Sequence, residues 1–183
     1  FAARALANAN VVTRGVRRAT RLFSPTAWVT TNSWTREVLT YDGKKSSAEL
    51  KFGYNPAWQR IEIVAATVSN RDGRVHAVTP REINEMDAGW TALAPRYPAA
   101  RTLVVSLPAV EIGSVIRVTT AITVTGAPVP YAAETVFDSD EPLTDMAVSL
   151  TTPADLKLAV RTLNFVGGGA AVSETNGLVT YVW

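Results

Sequence analysis

The sequence predicts an all-β fold, a mainly antiparallel β-sandwich with a helical extension at its N-terminus. Three observations predict it. Apolar and polar residues alternate with period two in several runs after Pro25. Residue pairs that accept tight hairpin turns punctuate these runs: Asp42 with Gly43, Asp72 with Gly73, and Asn176 with Gly177. No stretch alternates strand with helix in the regular way that a parallel α/β sheet requires.

The first element expected is the helix, over residues 3–22. Its alanine-rich start favours helix, Val12, Val16, Ala19 and Phe23 fall on one helical face, and Arg14, Arg18 and Arg21 fall on another. Gly15 interrupts it, and Ser24 before Pro25 is a stop signal. Residues 1–24 therefore stand as a basic amphipathic helix or a linker from an upstream region, and residues 26–183 as the sandwich domain. Such a helix can lie on a membrane surface or in a partner's groove, although an arginine face is more commonly just solvated.

Strands follow. "IRVTTAITV" sets Ile116, Val118, Thr120, Ile122 and Val124 against Arg117, Thr119, Ala121 and Thr123. "TDMAVSL" groups Met146, Val148 and Leu150, and "DLKLAVRTL" sets Leu156, Leu158 and Val160 against Lys157 and Arg161. This pattern marks strands buried on one side, and the β-branched residues in it suit a pleated, half-buried surface. Pro108, Pro128, Pro130, Pro142 and Pro153 fall at strand edges, where a missing N–H is tolerated. The longest break in the alternation is 80–100. Thr79 caps a short helix there, with Pro80 first and Glu82 third, and an irregular stretch with Trp90 and Tyr97 follows. The glycine run at 166–171 is expected to turn between the last two strands.

Composition narrows the chemistry. With 183 residues, 47% hydrophobic and 19% charged, the chain is that of a globular domain and not a disordered one. There is no run of about 18 apolar residues, so no transmembrane helix is expected. There is no cysteine, which excludes a disulfide framework, a thiolate metal site and a cysteine nucleophile within this sequence. The net charge of +2 is uneven: the five arginines up to Arg21 leave 13 basic against 16 acidic residues beyond. That balance does not suit nucleic-acid binding outside the N-terminal segment.

Candidate sites are few. His76, the only histidine, follows the Asp72 and Gly73 turn, where the Asp72 side chain is expected to bond its local backbone. Without a nucleophile or orienting acid near it, His76 is expected to be a strand residue on a hairpin. Asp138, Asp140 and Glu141 could offer oxygens to calcium, but they lack the length and glycine placement of an EF-hand loop, so a turn is expected and no metal or other cofactor. No phosphate loop and no nucleophile elbow is present. Trp28, Trp34, Trp58, Trp90 and Trp183 could stack on sugar rings, although such rings more often fill cores. The candidate contact surface is the loop with Trp90 and Tyr97, joined by Arg101.

Several stretches together carry a resemblance: residues 36–56 ending in Tyr54-Asn55-Pro56, the hairpin at 59–78, Leu107-Pro108 with Glu111-Ile112-Gly113 in 97–124, and the closing Thr180-Tyr181-Val182-Trp183. Over about 26–183 the chain resembles the bacterial domain of unknown function that lies immediately before transglutaminase-like domains. The resemblance implies a β-sandwich, a periplasmic or cell-envelope setting, and catalysis residing in the following domain. The expected role is then non-catalytic: to pack against, or present substrate to, a downstream transglutaminase-like domain of the same polypeptide. The alternative is a carbohydrate-binding module with a polysaccharide ligand.

Overall fold

A computed structural model describes residues 8–93, 99–165 and 168–183. The chain is mostly β and dominated by antiparallel pairing. Its strands are β1 (Val11–Ser24), β2 (Ala27–Val38), β3 (Glu49–Tyr54), β4 (Gln59–Ser69), β5 (Val75–Ala77), β6 (Ile83–Asp87), β7 (Arg101–Ser106), β8 (Val115–Val124), β9 (Met146–Pro153), β10 (Ala171–Thr175) and β11 (Leu178–Val182). One sheet has the order β10-β11-β9-β1-β2-β8-β4-β5, and a second has the order β3-β7-β6. Among the described strands only β1 with β9 runs parallel.

The smaller sheet covers one half of one face of the larger. Val38, Ala66, Val68, Ile116 and Val118 from the large sheet pack with Val105 and Leu107 from the small sheet and its exit. Four of these are shielded completely from solvent, and this apolar burial is the main stabilising term. In β8 the alternation holds as expected. Ile116, Val118, Thr120 and Val124 are buried, Ile122 lies half-buried on their side, and Arg117 and Thr123 are exposed.

The N-terminal helix is not seen among the described residues, outside which residues 1–7 lie. Residues 11–24 form β1, threaded between β2 and β9 in the middle of the large sheet. The reason lies at Gly15. It adopts φ +61 at a register break between Arg14 and Arg17, so a bulge inserts extra residues and shifts the phase of the strand. The broken period of two imitates a helical spacing of Val12, Val16 and Ala19. Ladders of backbone hydrogen bonds to β2 and β9 then hold these residues extended.

The Asp42 and Gly43 turn is also corrected. These residues open a helix, α1 (Tyr41–Ser47), whose N-cap Thr40 accepts a hydrogen bond from Gly43 N at 3.1 Å. Asp42 lies in the first turn, where a negative charge is favoured. The turn at 176–177 is as expected, with φ of +52 at Asn176 and +73 at Gly177 between β10 and β11. The glycine run precedes β10 instead of joining the last two strands; its residues 166–167 lie outside the described residues.

The strand expected at 155–163 does not form. The segment has no ladder partner, yet Leu156, Leu158 and Val160 are half-buried while Lys157, Ala159 and Arg161 are exposed. It lies over the half of the large sheet that the small sheet leaves open, and so does the stretch 130–137.

Candidate functional site

The small sheet sets up the candidate site through its register. On β7, Val105 pairs with Leu50 and Ile83, Leu103 with Phe52 and Glu85, and Arg101 with Tyr54 and Asp87. All of these share one face, because side chains two apart along a strand point the same way. That face is aliphatic where it joins the core and becomes charged and aromatic at Arg101.

At this end lies an open concavity of about 830 Å³, lined by Tyr54, Asn55, Trp58, Gln59, Trp90 and Arg101 among others. Local structure explains the placements. Asn55 Oδ1 accepts from Ala57 N, and Asn55 N donates to Gln59 Oε1, which folds the β3 to β4 turn and brings Trp58 alongside Tyr54. The Thr79 cap forms as expected: its hydroxyl accepts from Arg81 N, and the Glu82 carboxylate accepts from Thr79 N at 2.7 Å. The Thr79 hydroxyl also donates to the Glu82 carboxylate, and this bond, followed by the one from Thr79 N, holds the Glu82 carboxyl below its ordinary range. Beyond β6, Thr91 Oγ1 donates to Ala88 O at 2.7 Å and fixes the turn that carries Trp90, which is 53% exposed.

Arg101 is balanced by acids. Its guanidinium lies 2.9 Å from Asp87 Oδ1 and 3.9 Å from Glu85 Oε1. Desolvation, then the hydrogen bond and charge of Glu85, push the Tyr54 phenol up to about 12, with Arg101 acting the other way. Tyr54 is therefore a neutral phenol over the physiological range. The described lining residues offer aromatic faces, a phenol, two amides and an ion-paired guanidinium.

Trp90 and Arg101 thus face one concavity, and Tyr97 lies outside the described residues. Tyr54, Trp58 and Asp87 were not read from the sequence as parts of this site. The alternation of Leu50, Phe52 and Tyr54 was available as a signal, but the register that sets Tyr54 opposite Arg101 was not. His76 lies on the edge strand β5, opposite Val68. Asp72 Oδ1 accepts from Arg74 N at 3.0 Å, so its carboxylate serves the turn, as expected. Asp138 accepts from Ser139 N, and Glu141 pairs with Arg36 at 3.3 Å. Among the described residues no cluster of acids and histidine forms a metal site, and no helix is long and apolar enough to cross a membrane.

Residues 24–183 match the family described as "Domain of Unknown Function with solved-structure structure (DUF3857)". The chain belongs to this family. The DUF3857 fold recurs in a solved structure. A candidate protease from Parabacteroides distasonis ATCC 8503 is 19% identical with a TM-score of 0.78, over 95% of this chain and 35% of that one. An M1 zinc metallopeptidase from Deinococcus radiodurans is 15% identical with a TM-score of 0.47, over 95% and 38%. A CBM3a-L domain from the cellulosome scaffoldin of Clostridium thermocellum is 9% identical with a TM-score of 0.36, over 69% and 74%. This DUF3857 chain thus spans about a third of the length of the Parabacteroides protein. No curated protein matches it.

Proposed function

We propose that this chain is a non-catalytic sandwich-type module that packs against a downstream transglutaminase-like domain of the same polypeptide and presents substrate to it. One observation carries this reading. A fold that occupies 95% of this chain occupies only 35% of the candidate protease from Parabacteroides distasonis. A module of a longer chain acts by surface complementarity, and loops on a rigid sheet are suited to that. The concavity at Trp90 supports a contact role. An exposed tryptophan beside an arginine already oriented by Asp87 is the kind of anchor that dominates protein interfaces. The family resemblance adds a periplasmic or envelope setting.

A second reading has its own observation. Tyr54, Trp58 and Trp90 line one concavity, and aromatic faces with nearby amides suit sugar rings. Calorimetric titration separates the two readings. The chain is titrated with the transglutaminase-like domain of its own polypeptide, produced separately, and in parallel with envelope and plant polysaccharides. Saturable binding to the domain, weakened at least about tenfold in Trp90→Ala, is expected. Binding of a polysaccharide instead, lost in Trp90→Ala, would transfer the assignment to a sugar-binding module. A polypeptide that continues into no such domain would end the first reading.

A further inference from the structure

The open half of the large sheet holds a second cavity, of about 790 Å³, which shares only Gln59 with the lining of the one at Trp90. Its floor is the inner face of β1, β2, β8 and β9. On the half covered by the small sheet this face carries Trp34, Val38, Val68 and Ile116. Along the cavity it carries Arg18, Thr20, Thr30 and Asn32 among the apolar Leu22, Trp28, Ile122 and Val148. Thr20 and Thr30 share a hydrogen bond at 3.0 Å and so satisfy each other.

The roof is the pair of unladdered segments at 130–137 and 156–165. It is pinned at three points. Tyr131 packs edge-on against Trp28 with ring centroids 5.1 Å apart. Phe137 meets Phe165 at 4.9 Å and ties the two segments together. Trp183 Nε1 donates to Thr162 Oγ1 at 2.9 Å. Between these pins, Leu156, Leu158 and Val160 turn their aliphatic groups inward.

The charges of this lining are one-sided. Arg18 sits on the floor, and Lys157 and Arg161 stand at the exposed rim. No aspartate or glutamate occurs among the described lining residues. Arg14, Arg17 and Arg36 on neighbouring positions each reach a carboxylate. Arg18 instead donates to two neutral oxygens, Asn32 Oδ1 at 3.0 Å and Thr135 Oγ1 at 3.3 Å. A part-buried guanidinium without a carboxylate is costly to keep in an apolar cavity unless an anion completes it. Burial also holds the Tyr131 phenol above its ordinary range, with Thr20 and Arg18 acting the other way. The phenol therefore remains a neutral donor close to the arginine.

We propose that this cavity binds an amphipathic carboxylate, its head on Arg18 with help from Asn32, Thr135 and Tyr131, and its apolar body between the sheet and Leu156, Leu158 and Val160. The volume lies within the range of small-molecule sites, and a largely apolar wall with a few convergent polar groups is their usual chemistry. Guanidinium is the group best matched to a carboxylate, because its planar fork gives two parallel hydrogen bonds. The site does not depend on the contact role assigned to Trp90.

Dodecanoate is the probe, dodecanol its neutral counterpart, and the readouts are calorimetry and the fluorescence of the tryptophans, of which Trp28 and Trp183 line the cavity. The full chain is expected to bind dodecanoate saturably below its micellar range, and dodecanol at least about tenfold more weakly. Arg18→Gln should abolish that discrimination, and Arg18→Lys should keep much of it. Equal binding of acid and alcohol, no saturable binding of dodecanoate, or a Gln variant that binds as the parent does would overturn the proposal. Should Arg18→Gln fail to fold, the comparison of acid with alcohol on the unmodified chain decides alone.

Discussion

Gly43 illustrates how a single residue takes its meaning from what surrounds it. Inside α1 a glycine would ordinarily be improved by alanine, by about 1 kcal/mol. Here a Cβ on Gly43 would collide with the backbone oxygen of Asn10, which itself accepts from Leu39 N and Thr40 N. Backbone cannot step aside as a flexible side chain can. Gly43→Ala is therefore expected to destabilise the fold by roughly 1–3 kcal/mol, read from urea unfolding, the reverse of the helical trend. Tyr54 gives a test by pH. Its phenol is pushed from 10.0 up to about 12, so the folded state favours the neutral form. That contribution is complete below about pH 10 and is lost as pH rises from there through 12. In a phenolate absorbance titration of the folded chain, one step near 12 should vanish in Tyr54→Phe. A folded chain whose phenols all titrate near 10 would show that Tyr54 is not held by Glu85 and burial.

Alternation of apolar with polar residues reports burial, and hydrogen bonding is a separate matter. In β8 the two coincide, because β2 and β4 flank it and the small sheet covers part of its inner face. Along 156–160 they separate: Leu156, Leu158 and Val160 are drawn onto the large sheet, but no strand lies beside them. The sequence makes the side facing inward legible while leaving the ladder illegible. The same limit hides the candidate site. Trp90 and Arg101 stand out as an exposed aromatic and a nearby cation, but Tyr54 and Asp87 join them only through strand register, which no local pattern encodes. In β1 a bulge at Gly15 disguised the strand altogether and turned Arg18 inward while Arg14, Arg17 and Arg21 stay outside. The roof of the second cavity can be tested as an element. Leu158→Ala should cost about 1–2 kcal/mol and Lys157→Ala less than about 0.5, measured by denaturant unfolding. Equal costs would mean that the segment does not dock by its aliphatic side.

For the molecule as a whole, β1 is the join. It bonds β2 on one side and β9 on the other, and through β9 it holds β11 and β10. The family match begins at residue 24, where β1 ends. A chain shortened to start there would lose the strand that connects the two parts of the large sheet, together with the buried Val11, Val12 and Leu22. Burial of three such side chains contributes several kcal/mol, a large part of the roughly 5–15 kcal/mol that stabilises a domain. The shortened chain is expected to lose its cooperative urea transition. A sharp transition at an unchanged midpoint would show that β1 is dispensable.

The parallel pairing of β1 with β9 also sets an order in time. During synthesis β1 and β2 leave the ribosome together and can close their hairpin at once, whereas Met146–Pro153 emerge more than 100 residues later. At about 5–20 residues per second, one long flank of β1 stays bare for several seconds or more. A bare flank is a template for any other extended polypeptide nearby. Nascent chains of this protein are therefore most vulnerable to mispairing in the interval before β9 arrives.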